Sequence, residues 1–165
     1  MSRKVVGTQN VSRMCLVCGQ ENESGLKARF YELEDGELLG VFTPLEDHQG
    51  YPGRLHGGMA STMLDETMGR AINISDPGAW GVTVKLNVTF RKPVPLDGEV
   101  RAIARITRVT SRLFEGAGEI VLTDGSTAVE ATGTYMKLPI DRIADSDFEQ
   151  EWFADERDAP SRVDI

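Results

Sequence analysis

In the stretch GVTVKLNVTFR, Val82, Val84, Leu86, Val88 and Phe90 point one way and Thr83, Lys85, Asn87, Thr89 and Arg91 the other, the period of a half-buried strand. Two further β-like runs, EVRAIARITRVTS and RLFEGAGEIVLT, lead through a turn at DGS to a last strand in TAVEATGTYMKLP. Upstream, LKARFYELEDGELLGVFTP reads as a hairpin turning at Glu34, Asp35 and Gly36. After a Gly- and Pro-rich loop, LEDHQGYPGRLHGG, the period changes to that of a helix from about Gly57 to Ile74, ended by DPG at 76–78. The order β-β-α-β-β-β-β predicts an α+β fold in which an antiparallel sheet covers one central helix, whereas a βαβ dinucleotide fold requires more helices. One domain is expected over 1–140, with an N-terminal arm over 1–25. The acidic tail at 141–165 is expected to form a short helix around Phe148, Trp152 and Phe153 and a disordered end.

On a helical wheel, Ala60, Met63, Leu64, Thr67, Met68 and Ala71 share one stripe with Ile72 at its edge, and this stripe is the predicted core. Glu66 falls on the opposite side with Arg70 one turn later, the favourable order for a surface ion pair. Asp65 lies at the boundary of the stripe, flanked by Gly58, Ser61, Thr62 and Gly69, whose small side chains leave room beside a carboxylate. An apolar wall there desolvates the carboxylate and raises its basicity. Just before the helix, His56-Gly57-Gly58 exposes backbone N–H groups that can polarise a carbonyl oxygen with help from the helix dipole. By helical rise Asp65 is roughly a nanometre from that end, so one chain need not supply both donor and acid to one substrate, and a dimer could bring them together.

The composition, 40% hydrophobic and 27% charged, is that of a soluble globular chain, and no apolar run approaches the roughly 18 residues that span a bilayer. No signal peptide is legible in MSRKVVGTQN, and a cytoplasmic location is expected. Of the net charge of -8, residues 139–165 carry -6 (nine acids, three bases), while residues 85–112 carry +5 (seven bases, Asp97 and Glu99). This rules against nucleic acid as a partner but leaves basic strand residues, Arg91 and Lys92 among them, able to meet a small polyanion. Cys15 and Cys18 supply half of a tetrahedral zinc site, and His48 and His56 do not have the spacing of the other half. A structural turn is therefore expected of CLVCG, with no metal and no cofactor, the alternative being a metal shared across a dimer interface.

His-Gly-Gly followed by an acid nine residues after the His resembles the hotdog-fold acyl-CoA thioesterases, and within them the phenylacetate-pathway (PaaI-like) group, over most of residues 15–138. The resemblance implies that Gly57 N–H polarises the thioester carbonyl, with Gly58 assisting. It further implies that Asp65 acts as nucleophile or general base across a subunit interface, and that Thr83, eighteen residues on, orients the attacking water. An Asn or Gln six residues before the His is common in the group. Gly50 stands there, and Gln49, one place earlier, takes that role with His48 as competitor. His56 is implied to hold the loop rather than to act as base. The implied assembly is a homodimer or a dimer of dimers, the implied partner acyl-CoA, with Ser61, Arg91 and Lys92 among the substrate-facing residues and no membrane involved. The alternatives are a non-catalytic acyl-CoA binding or sensing module and a hotdog-fold acyl-CoA hydratase.

Overall fold

The turn expected at Glu34, Asp35 and Gly36 joins two antiparallel strands, with Gly36 at φ 83°, a left-handed conformation that glycine adopts without steric cost. The computed structural model describes residues 1–145 and 147–165. Chain order runs β1 (Ser2–Thr8), β2 (Val11–Ser12), β3 (Arg29–Leu33), β4 (Leu38–Phe42), α1 (Gly57–Ala71), β5 (Gly81–Phe90), β6 (Val100–Val109), β7 (Leu113–Val121), β8 (Thr127–Lys137), α2 (Phe148–Glu151), β9 (Trp152–Phe153) and β10 (Arg162–Asp164). Eight strands form one sheet in the order β10-β1-β3-β4-β6-β7-β8-β5, entirely antiparallel, and α1 packs against its inner face from β4 to β5. This is the expected α+β arrangement, a hotdog fold.

The predicted stripe of α1 is the core: Ala60, Met63, Leu64, Thr67, Met68, Ala71 and Ile72 are all buried. Removing each large apolar side chain from water contributes roughly 1.5–3 kcal/mol. Thr67 avoids an unpaired hydroxyl by donating to Met63 O at 2.7 Å. The helix approaches β4 at Gly40, where a Cβ would overlap Met63 Cε and lie 2.9 Å from Thr67 Oγ1. β4 is buried on both faces. Leu38 and Phe42 belong to the helix-side core, while Leu39 and Val41 join Tyr31, Leu33 and Ile103 in a second cluster covered by Val5, Val163 and Ile165.

That second cluster explains two departures from the sequence reading. Ser2–Thr8, expected within an arm, is a strand paired with β3, and the supposedly disordered end of the tail contributes β10, paired with β1. The tail's charge is locally neutralised, since Arg29 Nε donates to the buried Asp155 carboxylate at 2.8 Å and Arg157 Nε reaches the same group at 2.7 Å. The expected short helix spans Phe148–Glu151 only. Trp152 and Phe153 leave it to pair with β2.

β5 is a strand as predicted, but its apolar set is not uniformly buried. Leu86 and Val88 pack on the core, while Val82, Val84 and Phe90 are exposed. The cause is twofold: β5 is the sheet's edge, and a bulge between Thr83 and Lys85 reverses the alternation partway along. Gly40→Val should lower unfolding free energy by about 1–3 kcal/mol through overpacking against Met63 and Thr67, measured by urea denaturation.

Candidate active site

Asp65 is half-buried on α1 and held by two side chains from neighbouring strands. Thr83 Oγ1 on β5 lies 2.9 Å from Asp65 Oδ1 and 3.1 Å from Oδ2. The Tyr135 hydroxyl on β8 lies 3.1 Å from Oδ1 and 3.0 Å from the Asp65 backbone oxygen. The bulge in β5 makes the first contact possible, because it lets Thr83 look inward on the same side as Leu86 and Val88 despite the odd spacing. Tyr135 fits because Gly69 and Gly133 flank its ring: a Cβ on Gly133 would lie 2.7 Å from Tyr135 Cε2. Phe114 stacks on the other side of the ring, centroids 4.9 Å apart.

Burial pushes the Asp65 carboxyl above its ordinary value of 3.8, and the charge of Glu66 adds to the rise, while hydrogen bonds from Thr83 and Tyr135 pull it back. Burial, followed by the Asp65 charge and their hydrogen bond, raises the Tyr135 phenol, which therefore stays a proton donor at neutral pH. The carboxylate faces a cavity of about 440 Å³. Its far wall is aromatic: Trp80 meets Phe148 edge-on at 4.9 Å and Trp152 at 5.3 Å.

Glu66 lines the same cavity, which corrects its assignment to a surface ion pair. The pair with Arg70 exists, Nε to Oε1 at 2.7 Å, but Arg70 is only 6% exposed. Its guanidinium also donates to Asn10 O and to Cys18 Sγ, and it lies over the rings of Phe30 and Trp152. Residues before β3 and after β8 cover this side of the helix. Cys15 and Cys18 are unbridged and line the cavity too. The hydrogen bond from Cys18 pushes the Cys15 thiol down to about 6, and that bond together with burial pushes Cys18 up.

At the other end of α1, His56 is the N-cap and its Nδ1 accepts from Gly58 N–H at 2.9 Å, a loop-holding role like the one the resemblance implies. The Gly58 donor is thereby taken, whereas Gly57 N–H has no hydrogen bond among the described residues. Ser61 donates to Gly57 O. His48 is buried with both ring nitrogens engaged, by Leu45 N–H and Ser24 O, so it is no substitute for the exposed Gln49. Arg91 pairs with Glu130, and Lys92 is exposed. The chain thus brings Asp65 and Thr83 together but leaves Gly57, Gln49 and His56 at the helix start. Tyr135 was not singled out from the sequence, although Val129, Ala131, Gly133 and Tyr135 are inward on a strict period of two.

The Thioesterase superfamily pattern matches residues 52–129, from the loop before α1 into β8. A crystal structure of a thioesterase superfamily protein superposes with TM-score 0.69 at 30% identity, covering 76% of this chain and 64% of that one. Over this region the chain resembles the thioesterase superfamily in both sequence and fold. Mouse acyl-coenzyme A thioesterase THEM4 is 31% identical over 112 residues, 67% of this chain and 47% of THEM4. A Bacillus halodurans protein crystallised with CoA matches at TM-score 0.62 and 27% identity, covering 68% and 75% of the two chains. The chain spans about half the length of the curated relatives it matches. Among the described residues, no helix is long and apolar enough to cross a membrane.

Because Asp65 has a higher value in the native than in the unfolded chain, its ionisation costs native stability. The cost is absent below the ordinary aspartate range and complete above the native value. Asp65→Asn should therefore melt at a higher temperature than wild type at neutral pH, and the difference should vanish as pH falls through 3.8. An equal or lower melting temperature at neutral pH would contradict the burial of a charged Asp65.

Proposed function

We propose that the protein hydrolyses an acyl-CoA thioester to a free acid and CoA, with Asp65 as general base. The carrying observation is the carboxylate clamped by Thr83 and Tyr135 inside an aromatic-walled cavity. Oδ1 faces both donors, while Oδ2 faces only the longer Thr83 contact and is the freer to accept a proton. Water attacks the thioester carbonyl carbon as its proton passes to Asp65. The resulting oxyanion is stabilised by backbone N–H, the C–S bond breaks, and the proton returns from Asp65 to the departing sulfur. Support comes from relatives named acyl-coenzyme A thioesterases and from the CoA bound to the Bacillus halodurans protein.

The oxyanion donor in this reading is Gly57 N–H of a second subunit. The eight residues from Gly57 to Asp65 span about 12 Å of helix, too far for one carbonyl to meet both. A homodimer formed along β5 covers that edge together with exposed Val82, Val84 and Phe90, and Phe90 already lies beside Gly57. Gln49 and Ser61 lie towards that junction in the proposal. Lys92, exposed and without an ion pair among the described residues, is the better placed of the two basic candidates to meet CoA phosphates, since Arg91 is already paired with Glu130.

Asp65→Asn should reduce kcat on the best acyl-CoA of a panel by at least about a hundredfold, the scale of a lost general base, while binding of a non-hydrolysable analogue survives. Wild-type protein that binds the analogue yet releases no thiol from any acyl-CoA would replace hydrolysis with a sensing role. Capture of an acyl-enzyme by hydroxylamine would convert Asp65 from base to nucleophile. Val84→Lys, which places a charge on the open edge, should shift sedimentation from dimer to monomer and abolish turnover with it. An active monomer would refute the shared site.

A further inference from the structure

Cys15, Cys18 and Glu66 come together from two distant parts of the chain, and their ligand atoms all lie within 4.8 Å of one another. Tetrahedral zinc holds thiolates at about 2.3 Å, hence about 3.8 Å apart, a separation that side-chain torsions can reach from here. The backbone around the first cysteine is already built for a metal thiolate. Val17 N–H points at Cys15 Sγ at 3.3 Å, and Gly19 N–H closes the turn onto Cys15 O at 2.8 Å. Gly19 is obligatory in this turn, because a Cβ there would lie 2.7 Å from Cys15 N. The carboxylate is oriented too: Oε1 of Glu66 is fixed by Arg70 Nε, and its second oxygen has no hydrogen bond among the described residues. Charge balances, since two thiolates, one carboxylate and the Arg70 guanidinium sum to -2 around a divalent cation. The guanidinium, 2.9 Å from Cys18 Sγ, supplies the outer-shell hydrogen bond that such ligands ordinarily receive.

We infer that Cys15, Cys18 and Glu66 form a binding site for a thiophilic divalent cation, zinc by the chemistry of the donor set, with a fourth position open to the cavity. This reverses the expectation of no metal drawn from the histidine spacing: the third ligand is a helix carboxylate, invisible to a search for a second Cys or His pair. It stands independently of the role given to Asp65.

The test uses the full chain, reduced and stripped with a chelator. Cobalt titration should saturate at one equivalent per chain, with the intense visible bands of a tetrahedral site and a thiolate-to-cobalt charge-transfer band, and zinc should displace the cobalt. X-ray absorption of the zinc form should show two sulfurs at about 2.3 Å with oxygen at about 2.0–2.2 Å. Cys15→Ser should lose most of the charge-transfer intensity. Glu66→Gln should keep it but weaken zinc at least about tenfold in chelator competition, within the range that metal-site substitutions reach. Failure of the reduced wild type to take up cobalt or zinc stoichiometrically would overturn the site, whatever the variants do. So would uptake that is unchanged in a Cys15→Ser, Cys18→Ser protein shown by circular dichroism to be folded, and unchanged zinc affinity in Glu66→Gln would remove the carboxylate from it.

Discussion

A single guanidinium, that of Arg70, is the constraint around which the two sides of the central helix are organised. Buried at 6% exposure, it cannot remain unpaired, and its partners come from three places: Glu66 on its own helix, Asn10 O before the C-x-x-C turn, and Cys18 Sγ within it. Phe30 and Trp152 close over its faces at 4.3 and 4.7 Å. Satisfying one charge thus fastens the segment preceding β3 and the segment following β8 to the helix. Removing one partner of such a buried pair typically costs about 3–5 kcal/mol, because the other is left uncompensated. The aromatic wall of the Asp65 cavity exists because Trp152 is held there.

The helix is therefore engaged on two sides along its C-terminal half, while Gly58 near its start stays exposed. Its apolar stripe meets the sheet, and its polar side meets the chain's two outer segments, so Asp65 and Glu66, adjacent in sequence, sit in different surroundings. Asp65 is gripped by strand hydroxyls from β5 and β8, while Glu66 is turned towards thiols and a guanidinium. Between them they line one cavity with two kinds of surroundings, a carboxylate clamped by hydroxyls and a carboxylate beside two thiols.

How much of this was legible follows from the range of the interactions involved. The hairpin and the buried stripe of α1 depend on local period and turn residues, and both were readable, whereas the loop-holding role of His56 came from the family resemblance. Asp65 and Thr83 were legible as a pair only through the family resemblance, since plain alternation along β5 would have turned Thr83 away from the core. The burial of Arg70 was not readable, because it is imposed by residues some fifty to eighty positions away. Nor was the pairing of β1 with β10, in which short strands from opposite ends of the chain lie side by side. Tyr135 lay between these cases: its inward parity was visible, but its partner was not.

The bulge in β5 acts as a phase shifter between two alternations. Before it, the odd residue Thr83 faces the helix; after it, the even residues Leu86 and Val88 do. One strand can therefore deliver a hydroxyl to a carboxylate and an apolar seal to the core without breaking its hydrogen-bonded pairing with β8. A chain lacking that one extra residue would have to choose which half of β5 keeps its orientation, so the strand's length between Thr83 and Leu86 is as much a part of the site's specification as the side chains themselves.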